Sequence, residues 1–432
     1  MNVRAVVSSE TVSTVPGSHQ SPLLRRRFQF AGALIVSAVV PYAVRSLTIH
    51  GAAFDPPVAN ALFANLIAVT LAMWVRLSIA TYPGIRSSYY IIPLAAAAHA
   101  TVIVLLLMAR LPYDRLALLS GVLLHILWNY AIYFRVERRL RPRIAIVPFG
   151  DAEKLNSIEQ VHWMKVNAPR LEGLVCDALV ADFSADMPNE WEGFLADAAL
   201  AGRVVYQHKQ LSESLTGRVE LTHLSENNFG SLVPMRGWFH LKSLADFMVA
   251  VALLPIALPV MAVAAVAIRL EDSGPILFSQ ARIGHAGHRI TVYKFRTMHQ
   301  VEVQNELHAA MTSKNDDRIT RVGAFLRRYR VDELPQIFNI LKFQMSWIGP
   351  RPEAEVLSIW YTGELPFYRY RHVVKPGISG WAQVNQGHVA EVEQVHRKLQ
   401  YDFYYIKYFS PWLDLLILFR TIRTMLTGFG AK

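Results

Sequence analysis

Apolar stretches too long for the surface of a water-soluble fold constrain this chain more than any other feature. Four lie at about 28–48, 58–78, 89–109 and 116–135, each near the ~20 residues a helix needs to cross a bilayer. The flanking charge orients them. Arg25, Arg26 and Arg27 precede the first, while the loop His50–Pro57 holds no Lys or Arg. Arg76 and Arg86 mark the second loop, Arg110 and Arg115 the third, and Arg135, Arg138, Arg139, Arg141 and Arg143 follow the fourth. Basic residues collect on the cytoplasmic side, so the N-terminus and everything after residue 136 are expected there. Arg110 and Arg115 run against the rule but are outweighed by the larger clusters. No charged residue sits mid-span to mark a relay, so the four-helix region 25–136 reads as an anchor or oligomerisation bundle rather than a pathway for lipid. Residues 1–24, rich in Ser, Thr, Val and Pro, are expected to be disordered. The first stretch is long enough to span, so it is not read as a cleaved leader.

Net charge narrows the partners. The chain carries a formal +11 although 53% of its residues are hydrophobic. Such a balance serves nucleic acid, anionic lipid or phosphorylated substrates. No arginine-rich tail, zinc-ligand spacing or recognition motif supports nucleic acid. Cys176 is the sole cysteine, so no intramolecular disulfide forms, and it reads as an ordinary buried thiol.

Residues 141–236 read as a small soluble domain. RIAIVPF, DALVADF and GRVVYQH have the composition of short buried strands, with helical stretches at 189–201 and 209–216. Strands alternating with helices imply a parallel sheet covered by helices. The turn after the first strand, VPFGDAEK, offers only Gly150, whereas close backbone approach to a pyrophosphate needs a GxGxxG pattern. A structural or regulatory module without a dinucleotide is expected.

The stretch 238–268 is again long enough to span, but Pro255 and Pro259 fall in its middle. Each removes a backbone hydrogen bond and bends a helix. Two topologies remain open: an ordinary fifth span, or a helix broken at the prolines that enters and leaves on one face. Spanning would carry everything after it away from the cytosol.

The chemistry-bearing stretch is RRYRVDELPQ, residues 328–337. Pro335 suits the first turn of a helix, which would place Asp332 at or beside its N-cap and Glu333 in the first turn. Arg318, Arg321, Arg327, Arg328 and Arg330 lead into it, enough positive charge for a diphosphate. Two carboxylates facing a basic pocket also suit Mg²⁺, which takes one or two carboxylates plus substrate phosphates. A capped helix start with a solvated charge run explains the same ten residues.

The surroundings decide between these. GPILFSQARIGHAGHRITVYKFRTM (274–298) reads as a β-hairpin turning at GHAG, projecting Arg282, Lys294 and Arg296 as phosphate or headgroup contacts. WIGPRPE (347–353) holds Arg351 between Pro350 and Pro352, which lowers the entropy lost on clamping an anion. KPGISGWAQV (375–384) adds a rigid turn and a packing tryptophan, Trp381. His285, His288 and His299 lack a second ligand set and read as surface histidines. The tail from Tyr401 onward suits an amphipathic helix in the headgroup region. Together these blocks resemble the bacterial sugar transferase family, the monotopic phosphoglycosyl transferases, in the family's order and through most of 240–432. The layout resembles its long form, which starts exopolysaccharide or O-antigen assembly.

The resemblance implies a membrane α/β protein of the bacterial inner membrane. It would have four transmembrane helices, a degenerate Rossmann-like cytosolic domain (141–236) and a cytoplasmic α+β catalytic domain (238–432). Helix 243–268 would be re-entrant, broken at Pro255 and Pro259, with KSLAD (242–246) at its mouth. It implies a UDP-hexose donor, with glucose or galactose ahead of N-acetylated sugars, undecaprenyl phosphate as acceptor, and Mg²⁺. It also leaves room for a homodimer and for downstream glycosyltransferases as partners. By the same resemblance Asp332 is the nucleophile that forms a phosphosugar–aspartate intermediate and Glu333 assists with the metal. Arg327 and Arg351 face phosphate and nucleotide. One departure is RYRV before the acidic pair, where the family more often carries small hydroxyl residues. Two other readings compete: a sugar-nucleotide-modifying enzyme, which needs the dinucleotide loop that 147–154 lacks, and a scaffold or transporter subunit for polysaccharide export, which leaves the acidic pair and the GPRP turn without a purpose.

Overall fold

A computed structural model describes residues 23, 25–48, 55–79, 90–135, 142–220, 236–299, 318–386 and 392–427. The expectation for residues 1–24 lies outside them save for Leu23, as do Arg86, Arg138, Arg139 and Arg141. The chain forms two compact units, Met1–Gly217 and Arg218–Lys432.

In the first unit, α1 (Arg26–Leu34) passes through a π-helical stretch (Ile35–Val39) into α2 (Val40–Thr48), followed by α3 (Pro56–Ile79), α4 (Ile91–Met108) and α5 (Arg115–Arg135). The π turn has a local cause: Pro41 has no N–H and its ring presses on the carbonyl four residues back, so a widened turn makes room. Asp114 accepts the Ala117 N–H at 2.7 Å, capping α5, and pairs with Arg45 at 2.7 Å. These helices match the four apolar stretches and are long and apolar enough to cross a membrane. Their interior is less plain than the sequence implies. Ser37, Asn65, His99, His125 and Asn129 are all buried, and Arg76 donates to Asn129. Polar residues in membrane-spanning segments face the bundle interior rather than lipid.

The same unit holds a parallel four-stranded sheet in the order β2-β1-β3-β4, made of β1 (Arg143–Ile146), β2 (His162–Lys165), β3 (Ala178–Ala181) and β4 (Val204–Gln207). Side chains alternate across it. Ile144 and Ile146 pack with Leu155, Val180 and Leu211 on one face. Ala145 and Val147 pack with Leu179, Trp191 and Phe194 on the other. Helices α6 (Asn189–Leu200) and α7 (His208–Thr216) fall where expected, and Cys176 is buried. Gly150, at φ +60°, brings the chain against Asp182, whose carboxylate accepts the Asp151 N–H at 3.0 Å and lies 3.3 Å from His208. The amide that follows Gly150 is thus held by a carboxylate of the same sheet unit.

The second unit is built on α8 (Arg236–Glu271), a helix of 36 residues. The break expected at Pro255 and Pro259 is absent: both prolines lie inside the continuous helix, because the hydrogen-bonded turns on either side carry it past the two missing donors. Lys242, Asp246, Ala250, Ala257, Met261, Ala264 and Ile268 are its buried positions, three or four apart save for one double step from Ala250 to Ala257 that passes the partly buried Leu254. They form one stripe. That stripe packs on Ile290, Val292, Phe295, Leu326, Ile337 and Met345. Both ends are tied to the same unit. Asp246 accepts from Ser346 Oγ at 2.6 Å, and Lys242 meets Asp414 at 3.0 Å. At the far end Glu271 accepts the Val322 N–H at 3.1 Å. The opposite face presents Leu244, Met248, Ile256, Val263 and Leu270 outward.

Around α8 the hairpin forms as expected, β5 (Leu277–Ile283) antiparallel to β6 (Arg289–Phe295). Then come α9 (Arg321–Arg328), a 3₁₀ turn (Val331–Gln336), α10 (Ile337–Leu341), β7 (Ser346–Ile348), α11 (Glu355–Glu364), a second 3₁₀ turn (Tyr368–Val373), β8 (Gly377–Ser379), α12 (Trp381–Gln386), α13 (Val392–Lys407) and α14 (Pro411–Thr427). Trp381 is a packing residue, stacked on Tyr404 at 5.6 Å. The parallel pair β7–β8 brings two backbones together at Gly349 and Gly377. A Cβ on Gly377 would stand 2.1 Å from the Gly349 nitrogen, and backbone cannot yield as a side chain can. Gly377→Ala is expected to cost about 1–3 kcal/mol and to lower the detergent-solubilised protein's melting temperature in differential scanning fluorimetry. Gly363→Ala, inside α11 where a Cβ meets nothing within 4 Å, should not lower it, since alanine favours a helix over glycine.

Candidate active site

Arg330 adopts a left-handed conformation, φ +55°, and starts the 3₁₀ turn Val331–Gln336. Asp332 and Glu333 do fall in the first turn, but two parts of the expected helix start are corrected: the cap is Arg330 rather than Asp332, and Pro335 sits inside a 3₁₀ turn rather than in the first turn of an α-helix. The turn is short, so the charge that steadies the acidic pair comes from side chains rather than a helix dipole.

Those side chains converge on Glu333, which is buried. Its Oε1 accepts from Lys294 Nζ at 3.0 Å and from Arg351 Nη2 at 2.8 Å. Arg330 Nη1 lies 3.6 Å from Oε2, which makes no hydrogen bond. Burial disfavours the charged form, but Arg351, Lys294 and Arg330 outweigh it and hold Glu333 well below the usual carboxylate range. Asp332 behaves oppositely. Burial, then the neighbouring Glu333 charge, pushes it above the usual range against the pull of Lys294, Arg351 and Arg327. Two adjacent carboxylates thus have separate characters: one locked as an anion by cations, the other left with its charge poorly compensated. Burial and the nearby Arg351 and Arg282 guanidiniums also bring Lys294 down to about 8 despite Glu333.

The other expected contacts divide. Arg351 and Lys294 reach the acidic pair directly. Arg327 donates to Thr297 Oγ1 at 2.8 Å and its charge is felt at Asp332. Arg282 instead donates to the Pro352 carbonyl and to Gln280, so it supports the GPRP turn, and burial brings it down to about 10. Pro350 accepts the Gly377 N–H at 3.0 Å. Arg296 is a correction: it is buried against Asp272, donating to its carbonyl at 3.0 Å and lying 3.4 Å from its carboxylate. It ties the hairpin to the end of α8 and does not face the acidic pair. A second buried network went unseen in the sequence. Arg371 meets Asp402 at 2.8 Å, and Lys398 pairs with Glu353. Burial opposes ionisation of Glu353, but Lys398 and Arg371 hold it well below the usual range. The signal was present in Asp402, a lone carboxylate among Tyr401, Phe403, Tyr404 and Tyr405, because a buried charge requires a partner.

Among the described residues no group of three or more His, Cys, Asp or Glu is placed to hold a metal. Two adjacent carboxylates with one unbonded buried oxygen, Glu333 Oε2, still fit Mg²⁺, which completes its shell with water and phosphate oxygens. Two adjacent carboxylates ringed by fixed cations, on a unit with an outward apolar helix, make up the candidate site. Comparison with known proteins gives the family. The pattern of the bacterial sugar transferase family matches residues 238–428. A UDP-N-acetylgalactosamine-undecaprenyl-phosphate N-acetylgalactosaminephosphotransferase of Aeromonas hydrophila is 43% identical over 381 residues, 88% of this chain and 89% of that protein. A UDP-glucose:undecaprenyl-phosphate glucose-1-phosphate transferase of Klebsiella pneumoniae is 42% identical over 183 residues, 42% of this chain and 39% of that protein. One from Escherichia coli (strain K12) is 40% identical over 184 residues, 42% of this chain and 39% of that protein. The chain belongs to the bacterial sugar transferase family, and it is a membrane protein.

The two carboxylates should separate in a stability test. Glu333→Gln leaves Lys294 and Arg351 buried without their counter-ion, at a cost of about 3–5 kcal/mol, and a clear fall in melting temperature is expected. Asp332→Asn removes a poorly compensated charge and should not lower it.

Proposed function

We propose that the protein transfers a sugar-1-phosphate from a UDP-sugar to undecaprenyl phosphate, releasing UMP, with Asp332 as the nucleophile. The observation that carries this reading is the asymmetry of the acidic pair. Glu333 spends its charge on Lys294 and Arg351, whereas Asp332 keeps a carboxylate whose charge is poorly compensated and so available to a phosphorus centre. An Asp332 oxygen attacks the β-phosphorus, the bond to UMP breaks, and a phosphosugar–aspartate forms. An oxygen of undecaprenyl phosphate then attacks the same phosphorus, which breaks the acyl-phosphate bond and returns the Asp332 carboxylate. Arg351, Lys294 and Arg327 are placed to offset the charge that develops on phosphate oxygens. Asp332 and Glu333 would hold Mg²⁺, whose contribution is to neutralise the diphosphate and ease departure of UMP.

Membrane placement follows the same logic. Both ends of α8 contact one unit, which supports an arrangement in which the unbroken helix lies along one face of the bilayer with its outward aliphatic side in lipid, and in which the catalytic unit stays cytoplasmic beside its nucleotide sugar. The parallel-sheet domain is proposed to be Rossmann-like and without a dinucleotide, a reading supported by the single glycine after β1 and by the Asp182 carboxylate that holds the Asp151 amide. For the donor, UDP-N-acetylgalactosamine moves ahead of UDP-glucose and UDP-galactose, because the Aeromonas relative aligns over both units and the glucose-named relatives over about two fifths of the chain.

The test is UMP release from a panel of UDP-sugars, using membranes containing undecaprenyl phosphate and Mg²⁺. Release with UDP-N-acetylgalactosamine is expected for wild type, and a phosphosugar adduct on the Asp332 peptide should be seen by mass spectrometry when the acceptor is withheld. Asp332→Asn should abolish both. Undiminished release from that variant would leave single-step transfer as the mechanism. No release from any donor by folded protein would favour the scaffold.

A further inference from the structure

Arg351 is only as well placed as the backbone that carries it. Pro350 and Pro352 stiffen that backbone, but stiffness does not set its position. Its carbonyl oxygen accepts from Arg371 Nη2 at 2.8 Å. Arg371 is itself fixed. Its Nη1 donates to the Tyr368 hydroxyl at 2.8 Å, and Nη2 lies 2.8 Å from an Asp402 carboxylate oxygen contributed by α13. Glu353 stands 3.8 Å from Nη1 and is held in turn by Lys398. Arg371 is 4% exposed, so these contacts lie out of water's reach. Three separate segments, 349–353, 368–373 and 398–402, meet at one planar fork. A lysine there could keep the ion pair with Asp402 but could not hold the Arg351 carbonyl and the Tyr368 hydroxyl in the same geometry.

We propose that Arg371 is a positioning residue: by holding the Arg351 carbonyl it sets where the Arg351 guanidinium stands over the acidic pair, and so tunes how tightly the diphosphate of the nucleotide is gripped. The inference rests on the proposed anion-facing role of Arg351. It is independent of which carboxylate attacks and of which sugar is carried.

The experiment is a double-mutant cycle on the full-length protein in detergent, reading affinity for UDP with Mg²⁺ by titration calorimetry and therefore free of turnover. Arg371→Lys is expected to weaken UDP about tenfold, the worth of one buried hydrogen bond. In an Arg351→Lys background the same change should cost no more than about twofold, since two residues acting through one contact are not additive. Tyr368→Phe removes a different bond of the same guanidinium. It should lower the melting temperature as Arg371→Lys does, yet leave UDP affinity within about twofold, because the bond to Arg351 stays. Equal losses for Arg371→Lys in both backgrounds, or a loss with Tyr368→Phe as large as with Arg371→Lys, would reduce Arg371 to a structural residue and overturn the proposal. If Arg351→Lys alone leaves UDP affinity unchanged, the role of Arg351 falls and takes the inference with it. Absence of UMP release with the coupling intact would count against the transfer reaction alone.

Discussion

The carboxylate of Glu333 is the point on which the catalytic unit turns. A buried anion is costly unless cations and hydrogen bonds surround it, and here they arrive from different parts of the chain: Lys294 from β6, Arg351 from the turn after β7, and Arg330 from the start of its own 3₁₀ turn. Meeting the needs of one charge thereby brings the hairpin, the acidic turn and the GPRP turn into register. It also produces the difference between neighbours. Cations committed to Glu333 are only partly available to Asp332, so Asp332 sits beside a fixed negative charge in a buried setting and its own ionisation is disfavoured. A carboxylate in that state gains from the approach of a phosphate ester that brings its own cation.

Support for the site is layered outward from this contact. Arg282 fastens the Pro352 carbonyl and Arg371 the Arg351 carbonyl, while Lys398 takes up the Glu353 carboxylate. Each of these cations acts on the backbone or flank of the GPRP turn rather than on the acidic pair. The arginines proposed to face substrate and the arginines that hold the turn are therefore different residues. Composition cannot separate them, because a guanidinium that grips a carbonyl and one that grips a phosphate have the same letter.

That distinction explains what could be read from the chain alone. The four apolar stretches, the strands β1, β3 and β4 and the hairpin were legible because hydrophobic length and period are local properties. Strand β2 was not: His162, Trp163, Met164 and Lys165 show no buried alternation, and only pairing with β1 makes them a strand. The acidic pair was legible through its flanking arginines and the family blocks around it. Arg296 was misassigned, since its partner Asp272 lies beyond the hairpin and nothing in KFRTM marks the side chain as turned inward. Arg371 escaped because nothing in YRYRHVV marks its second arginine as buried; that is decided by Asp402, remote in sequence.

The long helix α8 shows the same conflict between local and tertiary signals. Pro255 and Pro259 argue for a break by themselves, yet the helix continues, because its buried stripe contacts the catalytic unit from Lys242 to Ile268. Small residues make this possible: Ala250, Ala257 and Ala264 let the helix approach closely. Ordinary amphipathic helices sort polar from apolar; on this one apolar residues predominate on both sides, and three of the buried positions are alanines. Water does not favour the outward aliphatic face, whereas hydrocarbon accepts it. Since Asp246 and Glu271 are both anchored to the same unit, a bilayer that receives that face must do so without separating the ends of the helix.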